Sequence, residues 1–224
     1  MQFDRIINLI DKTKFDKLKN TKVLLVGCGG VGGYSLETLV RSGIENIDII
    51  DFDKIDITNL NRQIITNLSN INLLKVEEAK KRALSINENI LINIYSIFLD
   101  KDNIKEILSN NYDYIIDACD SISTKIELIL NKEIYNYKLI SCMGTAKKID
   151  PTKLSITTLE KTSYDPLAKV IRKKLKELKY NKKVHVISST EEPIKCDNLG
   201  SLMMVPATAG ILCATFIIND IIKD

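Results

Sequence analysis

Short apolar runs alternate along this chain with stretches whose apolar positions recur at helical spacing. Val23-Leu24-Leu25-Val26 has the length and β-branched content of a buried strand. Tyr34 to Ser42 then carries Leu36, Leu39 and Val40 on one helical face, Gly43 ends that helix, and Ile47 to Ile50 reads as a second strand. The alternation continues with a helix from Leu73 to Ser85, a strand from Asn89 to Tyr95, a helix from Lys101 to Ser109 and a strand from Tyr112 to Ala118. A helix from Thr124 to Asn136 and a fifth strand from Leu139 to Met143 complete it, and residues 1–21 read as helical ahead of it. This order predicts an α/β fold: a Rossmann-like, doubly wound, mostly parallel sheet with helices on both faces.

Beyond Pro151 the elements change. Leu154 to Thr157 and Val184 to Ser188 read as strands flanking a helix from Pro166 to Lys179, a small C-terminal extension of the sheet. That helix is expected to bury Leu167, Val170, Ile171, Leu175 and Leu178. Leu202 to Ile222 is long and apolar, but Pro206, Asn219 and Asp220 interrupt it, so it reads as a core helix and not a membrane span.

Charge adds information here. Net charge is only +3, yet nine Lys/Arg face two acids between Lys161 and Lys183, which makes that segment +7 and the remainder −4. Such a run is either a solvated face or a nucleic-acid surface, with Lys169, Arg172, Lys173 and Lys176 as candidate tRNA contacts. The five cysteines (28, 119, 142, 196 and 213) form no C-x-x-C pair, which argues against a paired-thiolate zinc site. Their odd number suits a reducing, cytoplasmic setting, and the chain start lacks a secretory pattern. At 224 residues the chain is expected to form one domain, 1–224, able to bury its own core.

Chemistry concentrates between Lys22 and Arg62. Gly27, Gly29, Gly30 and Gly32 follow the first strand as G-x-G-x-x-G and precede a helix. Glycines let backbone N–H groups approach a phosphate, and the helix N-terminus adds partial positive charge. Asp51, nineteen residues past Gly32, ends the second strand where an acid accepts ribose hydroxyls. Strand, glycines, helix, strand and acid in that order point to nucleotide binding, divided into a nucleotide core (1–150), a basic crossover (151–200) and a C-terminal helix (201–224). Asn59, Arg62 and Lys75 then supply polar and cationic groups suited to a triphosphate, and Asp120, at the end of the fourth strand, suits magnesium. Asp120 as a helix cap and Lys75 as a surface residue are the plainer alternatives.

With these residues in view, the chain resembles the ATP-dependent adenylating enzymes related to the activators of ubiquitin-like proteins and sulfur carriers. The matching stretches are G-C-G-G-V-G (27–32), D-F-D (51–53), N-L-N-R-Q (59–63), Lys75 and D-A-C-D-S (117–121). Within that superfamily it is most similar to the tRNA threonylcarbamoyladenosine dehydratases, through Q-F-D-R (2–5), D-P-T (150–152), residues 161–175 and E-P-I-K (192–195). The resemblance implies ATP and Mg2+ as cofactors. The glycine loop would carry the phosphates, with Asp51, Asp53, Asn59 and Gln63 among the nucleotide contacts. Asn59, Arg62 and Lys75 would hold the triphosphate and its α-phosphate transition state, Asp120 the metal, and Arg5 would reach the triphosphate of the other subunit of a homodimer. It also implies tRNA carrying threonylcarbamoyladenosine as substrate and a cysteine desulfurase or sulfur-relay protein as a further partner. Lys125 is expected either at the nucleotide or at a helix start, and the isolated Cys196 either as an inert thiol or in a covalent role.

Three rival readings are separable. An activator of a sulfur-carrier protein would share the adenylation but calls for zinc ligands. A nicotinamide oxidoreductase would leave Asn59, Arg62, Lys75 and Asp120 without work, and a non-catalytic scaffold would have no use for the whole charged set.

Overall fold

The computed structural model describes residues 2–223. Its strands are β1 (Lys22–Val26), β2 (Asn46–Ile50), β3 (Leu91–Tyr95), β4 (Tyr114–Asp117), β5 (Lys138–Cys142), β6 (Leu154–Thr158) and β7 (His185–Ser189). They form one sheet in the order β3-β2-β1-β4-β5-β7-β6, parallel throughout except for β6, which pairs antiparallel with β7. The central strands are buried on both faces, which is why they read as unbroken apolar runs and do not alternate. Asp48 of β2, Asp117 of β4 and Ser141 of β5 are buried polar exceptions; Asp48 is satisfied from neighbouring elements. It is buried and accepts hydrogen bonds from Tyr112 Oη at 2.6 Å and Asn93 Nδ2 at 2.8 Å.

Two apolar layers cover the sheet. One face packs against α2 (Lys12–Asn20), α3 (Gly32–Arg41), α4 (Lys75–Ile86) and α8 (Met204–Lys223). The other packs against α5 (Ile104–Leu108), α6 (Ile122–Tyr135) and α7 (Pro166–Glu177). Helix α8 is long and apolar enough to cross a membrane, but Val205, Ala209, Cys213, Ala214 and Ile217 are buried, and Ser35 Oγ of α3 donates to Gly210 O at 3.0 Å. Leu36 and Leu39 of α3 are buried in the same layer, each contributing about 1.5–3 kcal/mol by leaving water.

Register places the functional edge. Val26 lies opposite Ile50 and Asp117, Ile50 opposite Tyr95, and Asp117 opposite Ser141. The carboxyl ends of β3, β2, β1, β4 and β5 therefore share one rim. The connections that follow β1 and β4 lead to opposite sides at this point, where α/β sheets open a ligand crevice.

Several sequence expectations shift. The N-terminal helical stretch is two helices, α1 (Asp4–Ile10) and α2, broken at Asp11, whose φ is +73° and whose carboxylate caps Lys14 N. Strand β4 stops at Asp117, so Asp120 belongs to the loop beyond it. In α7 only Ala168, Ile171 and Leu175 are buried. Val170 and Leu178, expected in the core, are exposed, because a helix packing on one partner layer buries a narrower stripe than its full set of apolar residues.

Candidate functional site

The glycine loop is shaped by contacts that side chains would prevent. Gly27 has φ +95°, and a Cβ there would meet Ala118 O at 2.8 Å. At Gly32, the first residue of α3, a Cβ would fall 1.8 Å from Gly27 O. The loop thus doubles back tightly onto β1 and the 118–119 turn. With Gly29 and Gly30 it borders an open crevice of about 980 Å³.

Asp51 holds this loop from the neighbouring strand. One oxygen accepts Cys28 N at 2.6 Å and the other accepts Asp53 N at 2.9 Å. Burial pushes its carboxyl above the ordinary value, against those N–H bonds and the charge of Lys75. Each oxygen retains acceptor capacity, so Asp51 can bind a hydroxyl as well as fix the loop. Lys75 begins α4, is buried, and places Nζ 2.7 Å from Asp53 Oδ2. Asn59, which lines the crevice, closes a one-turn 3-10 helix (Ile57–Asn59) by accepting Asp56 N through its side chain. Arg62 lines the crevice while Nη1 donates to Thr58 O and Asn61 Oδ1, both at 2.8 Å. Gln63 is buried at the same wall, and its Oε1 has no hydrogen-bond partner among the described residues. The Phe52 and Phe98 rings meet edge-on at 5.3 Å on the rim, an apolar border suited to a purine.

Across the β1–β4 junction the floor rests on a buried ion pair. Asp117 and Lys125 are both fully enclosed, with Nζ 3.0 Å from each carboxylate oxygen. Nζ also donates to Cys142 O at 2.8 Å, and Asp117 accepts Ser141 Oγ and Cys119 Sγ. Burial opposes the Lys125 charge, but the attraction of Asp117 outweighs it and raises the ammonium pKa. Lys125 therefore does sit in the first turn of α6, but its charge is spent on pinning β4 to β5, not on nucleotide. Asp120 projects from the loop above, exposed in the crevice and without a hydrogen-bond or salt-bridge partner among the described residues. It does not cap α6; Ser121 does. Burial pushes the Cys28 and Cys119 thiols up, with Asp51 adding to the first and Asp117 to the second, so neither supplies a ready thiolate.

The remaining wall comprises Met143, Gly144, Thr145 and Ala146 after β5, with Leu167 of α7 and residues 199–201. The 199–201 segment is hung on two supports. Lys147 N donates to Gly200 O at 2.9 Å, and Asn61 Nδ2 donates to Ser201 O at 3.0 Å.

A model of the ThiF family matches residues 3–223. The chain belongs to the ThiF family. Among curated ThiF-type relatives, the tRNA threonylcarbamoyladenosine dehydratase of Bacillus subtilis is 36% identical over 242 residues, covering 100% of this chain and 95% of that protein. The Escherichia coli enzyme of the same name is 36% identical over 194 residues, covering 84% of this chain and 72% of that protein. A crystal structure of the Escherichia coli dehydratase in complex with AMP superposes with a TM-score of 0.95 at 32% identity, covering 99% of this chain and 94% of that one.

Within this ThiF chain, every glycine, Asp51, Asp53, Asn59, Arg62, Gln63, Lys75 and Asp120 of the expected set reaches the crevice or its loop. Arg5 does not: it is exposed on α1, away from the crevice of its own chain. Lys169, Lys173 and Lys176 project from the outer face of α7, whereas Arg172 turns inward. Its Nη1 donates to Leu159 O at 3.0 Å and to Thr162 O and Oγ1, tying α7 to a 3-10 turn (Leu159–Lys161). Arg172 is thereby removed from the free cationic surface. Cys196 is exposed on the loop that follows β7, where its carbonyl accepts Lys147 Nζ. The Asp117–Lys125–Ser141 network escaped the sequence reading because its members lie on separate strands and helices. The Asp165-Pro166 start of α7 did carry a readable signal, an N-cap acid followed by N1 proline.

Proposed function

We propose that this chain is an ATP-dependent adenylating enzyme that dehydrates threonylcarbamoyladenosine in tRNA, beside the anticodon, closing the threonylcarbamoyl group into a ring. The observation that carries this reading is one crevice flanked by a cationic helix, in a chain matched over its whole length by dehydratases of that name. On one side lie a phosphate-type glycine loop, a ribose-type acid and the Arg62 and Lys75 cations. On the other, the wall runs into α7.

The threonine carboxylate attacks the α-phosphate of ATP, displacing pyrophosphate and forming an acyl-adenylate. A nucleophilic atom of the same threonylcarbamoyl group then closes on the activated carbonyl, loses its proton, and releases AMP. Adenylation turns the carboxylate oxygen into a good leaving group, and the nucleophile belongs to the substrate. The protein's task is placement and charge stabilisation. Arg62 and Lys75 carry the phosphates, Lys75 exchanging its Asp53 partner for them. Asp51 and Asn59 hold the ribose and its linkage, with Gln63 in the wall beside them. Asp120 would hold magnesium, because one exposed carboxylate suits an ion that takes its other ligands from phosphates and water. When bound, that ion neutralises phosphate charge.

Lys169, Lys173 and Lys176 receive tRNA phosphates. Arg5 serves the second subunit of a homodimer, and the enzyme works in the cytoplasm. The test is incubation with ATP, magnesium and tRNA carrying threonylcarbamoyladenosine, followed by nucleoside mass analysis. The expected product is lighter by one water. Unchanged nucleoside, with adenylation instead of a small carrier protein ending in Gly-Gly, would replace the substrate while keeping the family chemistry.

A further inference from the structure

We infer that Asp165 is a positioning residue for the tRNA substrate: its carboxylate fixes the crevice wall at Gly144 to the start of the cationic helix α7. RNA docked on that helix is thereby registered against the adenylating site. The inference rests on the dehydratase reading.

Asp165 is buried, and its two oxygens do different work. Oδ1 accepts Ala168 N at 2.9 Å, which completes the N-cap of α7. A cap needs no more than this. Oδ2 accepts Gly144 N, also at 2.9 Å, from a residue on the crevice wall beyond β5. The residue before it, Tyr164, holds φ at +51°, a left-handed backbone that aromatic side chains rarely adopt. Chain strain is thus accepted to aim this carboxylate.

Helix α7 touches both partners of the inferred coupling. Leu167, in its first turn, lines the crevice beside Gly144, while Lys169, Lys173 and Lys176 face solvent on its outer side. The far end of the wall segment is secured separately. Glu191, itself buried, accepts Ile149 N at 3.0 Å and Asp150 N at 3.0 Å. Removing the Asp165 tie therefore frees the Gly144 end alone and leaves the segment attached. In such a linkage a displacement of about 1 Å suffices to lower turnover by up to about a hundredfold.

Asp165→Ser separates the two roles. Serine caps a helix as well as aspartate does, but its single oxygen, seated at Ala168 N, does not occupy the place from which Oδ2 accepts Gly144 N. The expected result is ATP affinity and tRNA affinity like those of the unsubstituted protein, with a lower melting temperature, because the buried Lys148 ammonium loses an attractive carboxylate. Turnover of tRNA carrying threonylcarbamoyladenosine should fall about ten- to a hundredfold. Asp165→Ala, which removes the helix cap as well, should show the same kinetic loss with a melting temperature below that of Asp165→Ser. Unchanged turnover in Asp165→Ser would overturn the inference, as would a parallel loss of ATP affinity, which would mark a general structural role. If the unsubstituted protein itself leaves this tRNA unconverted, the dehydratase reading fails first, and the inference falls with it.

Discussion

The nucleotide half of the crevice comes almost entirely from one stretch of chain, Gly27 to Lys75, whereas the opposite half is gathered from residues near 118–121, 142–146, 167 and 199–201. In the first half, the groups facing the crevice are the ones doing the holding: Asp51 both fixes the glycine loop and retains lone pairs for ligand. In the second, the charged residues that hold the wall lie behind it. Lys125 and Asp117 are buried and pair with each other, and Asp165, also buried, accepts from backbone at Gly144 and Ala168. A site for a common cosubstrate is built from a compact local motif. A site for a large, particular substrate is built by bracing distant segments.

The largest effect that would break this contrast is expected from Gly32→Ala. The added Cβ would lie 1.8 Å from a backbone oxygen, with no flexible side chain to yield. Destabilisation of about 3 kcal/mol or more is expected in urea unfolding, together with loss of ATP binding. A soluble variant with normal ATP affinity would show that the tight return of the loop is dispensable.

Two buried lysines offer the next comparison. Lys125→Met leaves Asp117 enclosed without its cation and should cost about 3–5 kcal/mol of stability. Lys75→Met leaves the half-exposed Asp53 unpaired and removes one of several attractions on Asp51, which keeps its bonds from Cys28 N and Asp53 N, so melting should fall less than in Lys125→Met while adenylation slows about 10²–10³-fold. Equal stability losses in the two variants would erase the distinction between bracing and ligand-facing cations.

On α7 the effects are smaller and of two kinds. Glutamate at Lys169, Lys173 and Lys176 should weaken tRNA binding and reduce the magnitude of its salt slope by about one for each phosphate left without its cation. Arg172→Ala should lower the melting temperature, because the carbonyls of Leu159 and Thr162 are deprived of their guanidinium donor, and should leave that slope unchanged. A smaller slope in Arg172→Ala would return this residue to the RNA surface.

The smallest effect lies outside both halves. Partial burial of Glu37 opposes its charge, but hydrogen bonds from Arg82 and Arg41 outweigh it and hold the carboxyl below 4.5. A group shifted down in this way stabilises the fold above its ordinary pKa and loses that contribution as pH falls through the folded value. Glu37→Gln should therefore cost about 0.5 kcal/mol at neutral pH, with the difference vanishing in acid when unfolding is followed across pH.

Much of this was legible in the sequence because it is local. The strand runs, the glycine spacing, Asp51 and the N-L-N-R-Q segment each encode their own geometry within a few residues, and register then brings them to one rim. What stayed hidden depends on burial and on partners far along the chain. Nothing local shows that Lys125 faces Asp117 and Ser141, or that Asp165 reaches back to Gly144. The basic run from Lys161 to Lys183 was visible as charge, but periodicity alone did not turn Arg172 inward or leave Val170 and Leu178 outside the core. Tertiary packing decided those positions.

The decisive experiment is ATP–pyrophosphate exchange by the purified protein, with tRNA carrying threonylcarbamoyladenosine and with the same tRNA lacking the modification. Exchange is expected with the modified tRNA alone, since only it presents a carboxylate to the α-phosphate. Exchange with both tRNAs, or with neither, would contradict the assignment of this crevice to threonylcarbamoyladenosine.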